Sequence, residues 1–416
     1  MVTPSSQEKP RRNGMKRLGV LVLCVLFLVG CSNSTPAINL EPQVFGLEGV
    51  MIDISGSGSN VYAAGFPAGS QGLLLSKFDS VGQTFWSKTF LRSYSTFEMT
   101  TDKTGNSYVA GFDGQIGDRG GLFIRKFNSQ GGALWETKFA PASSDKLEAV
   151  RGITTDASGN IYVLTSVTTP GNLVDFNYQI YFYVRKYSPS GVLITTFISN
   201  QGGTNSVPAP TAPTSLKVDA TNNVYVLYSK GSDGTGINAS TGIKMLKFSP
   251  TGTQLWDRLV YANLYQGTYR FQSGDFTLDS QSNIYIAINQ FTCNIIGQSC
   301  GKLKVHLRKL NSNAGYLWTK EIYIANSSNT PASFSAKGYP IGKAKVQTDS
   351  EDNVYLATRT YTFDSANVKN TFLLSVKYDK AGNRLWRTEL PAPSNNVFAF
   401  AEFAVTEGVY LTGAVE

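Results

Sequence analysis

Asp102, Asp156, Asp219, Asp279 and Asp349 each stand four residues before an asparagine and six before a tyrosine. The five stretches read DKTGNSYV, DASGNIYV, DATNNVYV, DSQSNIYI and DSEDNVYL. Carboxylate and amide oxygens at this spacing could hold calcium, and the last stretch adds Glu351 and Asp352. A calcium loop brings about six to eight oxygens, commonly with a bidentate Glu at its far end. None of the repeats supplies that Glu, so the pattern reads as a tight turn, and no metal site is expected. In such a turn the Asp accepts backbone N–H bonds and a Gly or Asn takes the positive-φ position. Lys77, Lys126, Lys186, Lys247, Lys309 and Lys377 recur in the same units. Six lysines in one ring could bind an anion. The structural alternative lays each stem between packed layers, with the ammonium reaching a carboxylate or carbonyl at a turn.

Catalytic groups are sparse. His306 is the single histidine, so a Ser-His-Asp or Cys-His arrangement has one possible base. It falls where the other units carry Leu74, Phe123, Tyr183, Lys244 and Leu374. HExxH and P-loop motifs are absent, and no cofactor is expected. Two carboxylates from different units could still meet across a central channel, about 5–10 Å apart, to cleave a glycosidic bond. Buried facing carboxylates in a deep funnel would favour an enzyme; a flat aromatic face would favour binding.

The elements that hold these residues repeat. Tyr62, Tyr108, Tyr162, Tyr225, Tyr285, Tyr355 and Tyr410 recur 46 to 70 residues apart. Nine residues after each recurrent lysine stands Trp86, Trp135, Thr195, Trp256, Trp318 or Trp386, which uses every tryptophan in the chain. Each unit reads as four short strands, A to D, rich in β-branched and aromatic residues and bounded by Gly, Asn, Asp, Ser and Pro. That pattern predicts an all-β propeller of four-stranded antiparallel blades. Six units are complete, and FAEFAV with GVYLTGAVE forms a last A–B pair. An outer strand from INLEPQVFGL (residues 38–47) would make a mixed closing blade, so seven blades are expected, with six as the alternative.

DASGNIYV with VRKYSPSGVLI, and DKTGNSYVAGF with IRKFNSQGGALW, resemble the SBBP-type β-propeller repeat of bacterial secreted proteins. The G-x-x-L-W ending is also similar to the quinoprotein-like propeller repeat. The resemblance spans residues 49–416 and implies a propeller whose repeated residues are structural. The third unit departs from it, with Thr195 in place of Trp and a proline-rich insertion afterwards.

MKRLGVLVLCVLFLVGC has a basic start, a twelve-residue apolar run from Leu18 to Val29, and then Gly30-Cys31. A spanning helix needs about 20 residues, so the segment reads as a secretory signal. LVGC resembles a bacterial lipobox, which implies acylation of Cys31 after removal of residues 1–30. Residues 31–47 would follow the anchor and 48–416 would form the propeller, exported and held to the envelope membrane by its lipid. The formal charge of +8 falls to +4 without residues 1–30, and no basic run remains for nucleic acid. Export places Cys293 and Cys300 in an oxidising compartment, where they are expected to form a disulfide. A zinc site would want about four ligands, and only His306 is near.

The A–B and C–D turns are short and alike, whereas the B–C and D–A connections are long and different in every unit. Variable loops on a rigid scaffold are where function concentrates. Asp175, Tyr178, Tyr265, Tyr269, Arg270, Tyr339 and Asp364 are therefore the candidate binding-face residues. Their aromatic and small-polar surroundings suit a protein or polysaccharide partner. The expected protein is a monomeric, non-catalytic binding or scaffold module. The alternative is a propeller hydrolase or lyase acting on extracellular glycans, or a quinoprotein-like enzyme. Anchor and architecture also resemble the lipoprotein propeller of outer-membrane barrel assembly, in fold alone.

Overall fold

A computed structural model describes residues 20–23, 43–46, 49–67, 72–80, 82–90, 94–113, 121–139, 147–169, 179–198, 213–230, 242–262, 269–293, 300–324, 344–363, 369–391, 398–405 and 409–415. Two short strands, β1 (Val20–Leu23) and β2 (Gln43–Gly46), precede six four-stranded blades. The first blade is β3 (Gly49–Ser57), β4 (Asn60–Pro67), β5 (Leu73–Phe78) and β6 (Thr84–Phe90). The second is β7 (Tyr94–Thr101), β8 (Ser107–Asp113), β9 (Gly121–Phe127) and β10 (Ala133–Phe139), and the third β11 (Leu147–Thr155), β12 (Ile161–Thr169), β13 (Gln179–Tyr187) and β14 (Leu193–Ile198). The fourth comprises β15 (Pro213–Val218), β16 (Val224–Lys230), β17 (Gly242–Phe248) and β18 (Gln254–Ala262). The fifth comprises β19 (Tyr269–Leu278), β20 (Ile284–Cys293), β21 (Cys300–Leu310) and β22 (Tyr316–Ile324). The sixth comprises β23 (Lys345–Thr348), β24 (Val354–Phe363), β25 (Lys369–Tyr378) and β26 (Arg384–Pro391), followed by the pair β27 (Phe398–Val405) and β28 (Val409–Val415).

The first strands of successive blades touch in a closed ring: β3, β7, β11, β15, β19, β23, β27 and back to β3. The complete blades thus number six, the alternative count, and the β27–β28 pair holds the remaining place in the ring. Gln43–Gly46 lies within the segment expected to close the ring. It pairs with Val20–Leu23, however, and β1 is the strand that lies against β28. The Val-Leu-Val-Leu run read as part of a leader has strong strand propensity, and in the structure it covers an otherwise open sheet edge.

The core is pooled between neighbours. Tyr62, Leu75, Phe97 and Phe123 join the first two blades, and Tyr162, Phe182, Val226 and Phe248 join the third and fourth. This face-to-face burial of alternating strand residues is the principal stabilising force of the ring.

In all six outer strands the register slips by one residue. The residue left over is Phe85, Leu134, Ile194, Leu255, Leu317 or Leu385, each between 46% and 60% exposed. Such a bulge bends an edge strand away from further pairing. The next residue turns inward, so Trp86, Trp256, Trp318 and Trp386 meet Tyr62, Tyr225, Tyr285 and Tyr355 edge-on at 5.9–6.3 Å. Trp86 Nε1 then donates to Ser129 O and Trp135 Nε1 to Pro189 O, both 3.2 Å away in the C–D turn of the following blade.

The third unit solves the missing tryptophan differently. Phe197, two residues beyond Thr195, is buried against the C–D turn of the fourth blade. A Cβ on Gly252, whose φ is +94°, would lie 2.4 Å from its ring. The glycine is therefore needed for both conformation and space.

Candidate functional site

The repeated aspartate is a turn, as its spacing indicated. Asp219 Oδ1 accepts the N–H groups of Thr221 and Asn223 and the Thr221 hydroxyl, at 2.8–2.9 Å. Its Oδ2 accepts Asn223 Nδ2 at 2.9 Å and Tyr225 OH at 3.1 Å. Without the hydroxyl from two residues on, the same bonds surround Asp156, Asp279 and Asp349. Burial alone would raise the Asp102, Asp219 and Asp349 carboxyls. Hydrogen bonds from Asn106, Asn223 and Asn353, joined by neighbouring donors, hold all three below the usual carboxylate range. Both oxygens of each are used by the chain's own donors, so the turns offer no open ligand set.

The lysines are equally committed. Lys247, Lys309 and Lys377 each sit 4.7 Å from the centre of the repeat tyrosine ring. Their ammonium groups lie 4.0, 3.5 and 3.2 Å from the turn carboxylates Asp219, Asp279 and Asp349. Lys309 Nζ also donates to Lys380 O, 2.9 Å away in the next blade. Among the described residues, no three His, Cys, Asp or Glu side chains converge in a way that would hold a metal.

The residues that do converge lie on the ring of first strands. Asp53, Glu98, Ser215 and Lys345 occupy one register, each opposite the residue two past the repeat tyrosine. Asp275 stands at the equivalent position of the fifth blade, at a bulge in β19. Together with Lys217, Arg151, Gln347 and the hydroxyls of Ser55, Thr100 and Thr154 they line an axial channel of about 120 Å³. Several of these side chains also pin one blade to another. Asp53 accepts the backbone N–H groups of Ile54 and, from the second blade, Met99. Ser215 of the fourth blade donates to Asp275 of the fifth, and Gln347 accepts the Val405 N–H at 2.9 Å. Burial would raise Asp275, but Lys217 and Lys345 on either side, with Ser215 and the Phe276 N–H, hold it ionised and below its ordinary value. The sequence carried a signal for this ring. It is a polar residue four positions before the turn aspartate and just before an apolar one, as at Glu98, Ser215, Asp275 and Lys345.

Thr100 and Thr154 belong also to a larger cleft of about 610 Å³ on the A–B side of blades two to four. Its walls include Asp102, Lys126, Asp156, Pro189 and Asp219. The channel and cleft therefore meet on the face of short turns. Of the expected binding-face residues, Asp175, Tyr178, Tyr265, Tyr339 and Asp364 lie outside the described residues. Tyr269 and Arg270 open strand β19, with only their backbone described. Cys31 also lies outside. Cys293 and Cys300, expected within one loop, end β20 and begin β21 as direct register partners. Their side chains, and with them the disulfide, are outside the described residues.

His306 is buried opposite Glu321, with Tyr261 6.2 Å away ring to ring and Lys304 and Arg308 alongside. Burial pushes its pKa down, the Glu321 charge raises it, and the two cations lower it further. No part of the axial site lies against it.

No protein-family model matches the chain, and no curated protein matches it in sequence. Several solved structures match the chain at low similarity. Hydrazine synthase of Kuenenia stuttgartiensis is 10% identical, with a TM-score of 0.49 over 92% of this chain and 97% of that one. The polysaccharide lyase Uly1 is 10% identical, with a TM-score of 0.49 over 96% and 99%. A Bacteroides caccae protein of unknown function is 13% identical, with a TM-score of 0.40 over 74% and 94%. Likeness of this order does not transfer a function. The chain's own sheets and closed ring of first strands make it a β-propeller.

Proposed function

We propose that the chain is an SBBP-type propeller lipoprotein, anchored to the bacterial envelope through Cys31, that serves as a non-catalytic binding or scaffold module for protein or polysaccharide. One observation carries the non-catalytic part: the axial carboxylates Asp53 and Asp275 are spent on holding the ring. Asp53 and Asp275 are hydrogen-bonded across blades, and Asp275 is held ionised. Glycoside cleavage by an acid–base pair needs one carboxyl kept protonated. The long loops bearing Asp175, Tyr178, Tyr265, Tyr269, Arg270, Tyr339 and Asp364 remain the proposed contact face. The oxidising compartment supports a Cys293–Cys300 bridge. So does their register pairing, because cross-strand Cα atoms about 4.5–5.5 Å apart fall within disulfide reach.

The test is capture from detergent-solubilised envelope, run beside a panel of extracellular polysaccharides. Wild-type chain should retain a partner, and Tyr265→Ala with Arg270→Ala should lose it while the melting temperature holds. Turnover of a polysaccharide that disappears in folded Asp275→Asn would replace this reading with the second one. That second reading, a glycan hydrolase or lyase, draws on the gathering of Asp53, Glu98 and Asp275 around one axis.

A further inference from the structure

The outer strand of a propeller blade leaves one row of backbone donors and acceptors unpaired, and chains protect such edges with bulges and charge. All six outer strands here carry the bulge before the inward-turned position. Five also carry an exposed charge: Lys88 in β6, Lys138 in β10, Arg258 in β18, Glu321 in β22 and Arg387 in β26. Strand β14 carries none. It reads LITTFI, which is apolar or β-branched throughout. Val192, Leu193, Ile194 and Ile198 are 64%, 50%, 53% and 54% exposed, the densest exposed apolar group among the described residues. Phe197 is turned inward onto the fourth blade, so the third unit's departure from the repeat is not a packing defect.

From this uncharged edge we infer that β14 is a docking strand whose occupant is β14 of a second copy of this chain, added edge to edge in antiparallel fashion. The lack of charge selects that occupant, since a second copy brings an uncharged strand of the same length. About a twofold axis each strand meets its own sequence, and β14 then sets apolar groups and threonines against one another with no charge to desolvate. A charged partner strand would leave its charge facing Leu193, Ile194 or Ile198 without a counter-ion. A six-residue strand spans about 20 Å, so the interface falls below the roughly 1,200–2,000 Å² of stable complexes. The dimer is therefore weak and concentration-dependent, in place of the monomer expected from sequence. The inference is independent of what the axial site or the long loops bind.

Sedimentation of the full chain in mild detergent, over a wide concentration range, tests it. Wild type should pass from monomer to dimer as concentration rises. Ile198→Lys should raise the dissociation constant roughly tenfold or more, since each ammonium is then set against the apolar Leu193 of the second copy without a counter-ion. Its melting temperature should not change, because the side chain is exposed. Leu255→Lys, equally exposed on a strand that already carries charge, should leave the equilibrium alone. A wild type monomeric at every concentration overturns the inference, as does a dimer indifferent to Ile198→Lys. A monomer that captures an envelope protein only while Ile198 is intact assigns the edge to a different partner, and overturns self-pairing too.

Discussion

Asp219 accepts five hydrogen bonds within seven residues of chain and faces Lys247 from the third strand of its blade. Removing the carboxylate leaves buried donors unsatisfied, at a cost of about 1–3 kcal/mol. Asp219→Ala should lower stability by that amount in urea unfolding without changing partner capture. His306 supplies a separate, pH-dependent readout. Its folded pKa lies below 6.5, so the unfolded chain binds the proton more tightly. Its contribution is complete above pH 6.5 and is lost as pH falls below it. The turn carboxylates Asp102, Asp219 and Asp349, whose pKa values are depressed from 3.8, add their loss only below about pH 4. Melting temperatures measured from pH 8 to 5 should therefore decline in wild type and stay flat in His306→Gln.

At the scale of the strand, the repeat is legible because it is dictated by local chemistry. The D-x-x-x-N turn keeps one offset to its tyrosine and the lysine keeps one offset to its tryptophan, and each has one structural role. The contact a tryptophan would make at Thr195 is made by Phe197, which stands two residues away and packs on Gly252 of the next blade, an offset the repeat does not mark. The axial ring was harder to read. Asp53, Glu98, Ser215, Asp275 and Lys345 differ in chemical type, so their shared mark, polarity at one place in the first strand, is weak until the register aligns them. Neither did sequence reveal that Val20–Leu23 could pair with Gln43–Gly46, since the apolar run fits a leader equally well. Phe197→Ala should cost about 3–5 kcal/mol, as large aromatic truncations in cores do. Thr195→Ala should cost little, and denaturant midpoints for the two variants will separate the roles.

At the scale of the molecule, closure joins the two ends of the sequence. The β27–β28 pair is held between β23 and β3, and β1 lies against β28. Anchoring and folding are thereby separable. Cys31→Ser should move the protein from the membrane to the soluble fraction with its near-ultraviolet circular dichroism unchanged. A membrane fraction that stays the same would remove the lipid anchor from the proposal.

Strand β1 comes from the segment proposed as the export leader, and this sets two fates against each other in time. A leader that has been captured cannot lie against β28, and a leader docked on β28 cannot be captured. Synthesis exposes the leader long before β28 exists, and contacts this distant in sequence form slowly, so a nascent chain meets the export machinery first. A delayed precursor has no such protection. Once folded it holds its own leader as a strand, and it should resist signal peptidase that readily trims the same precursor in urea. Equal cleavage of both forms would show that β1 is released as easily as it docks.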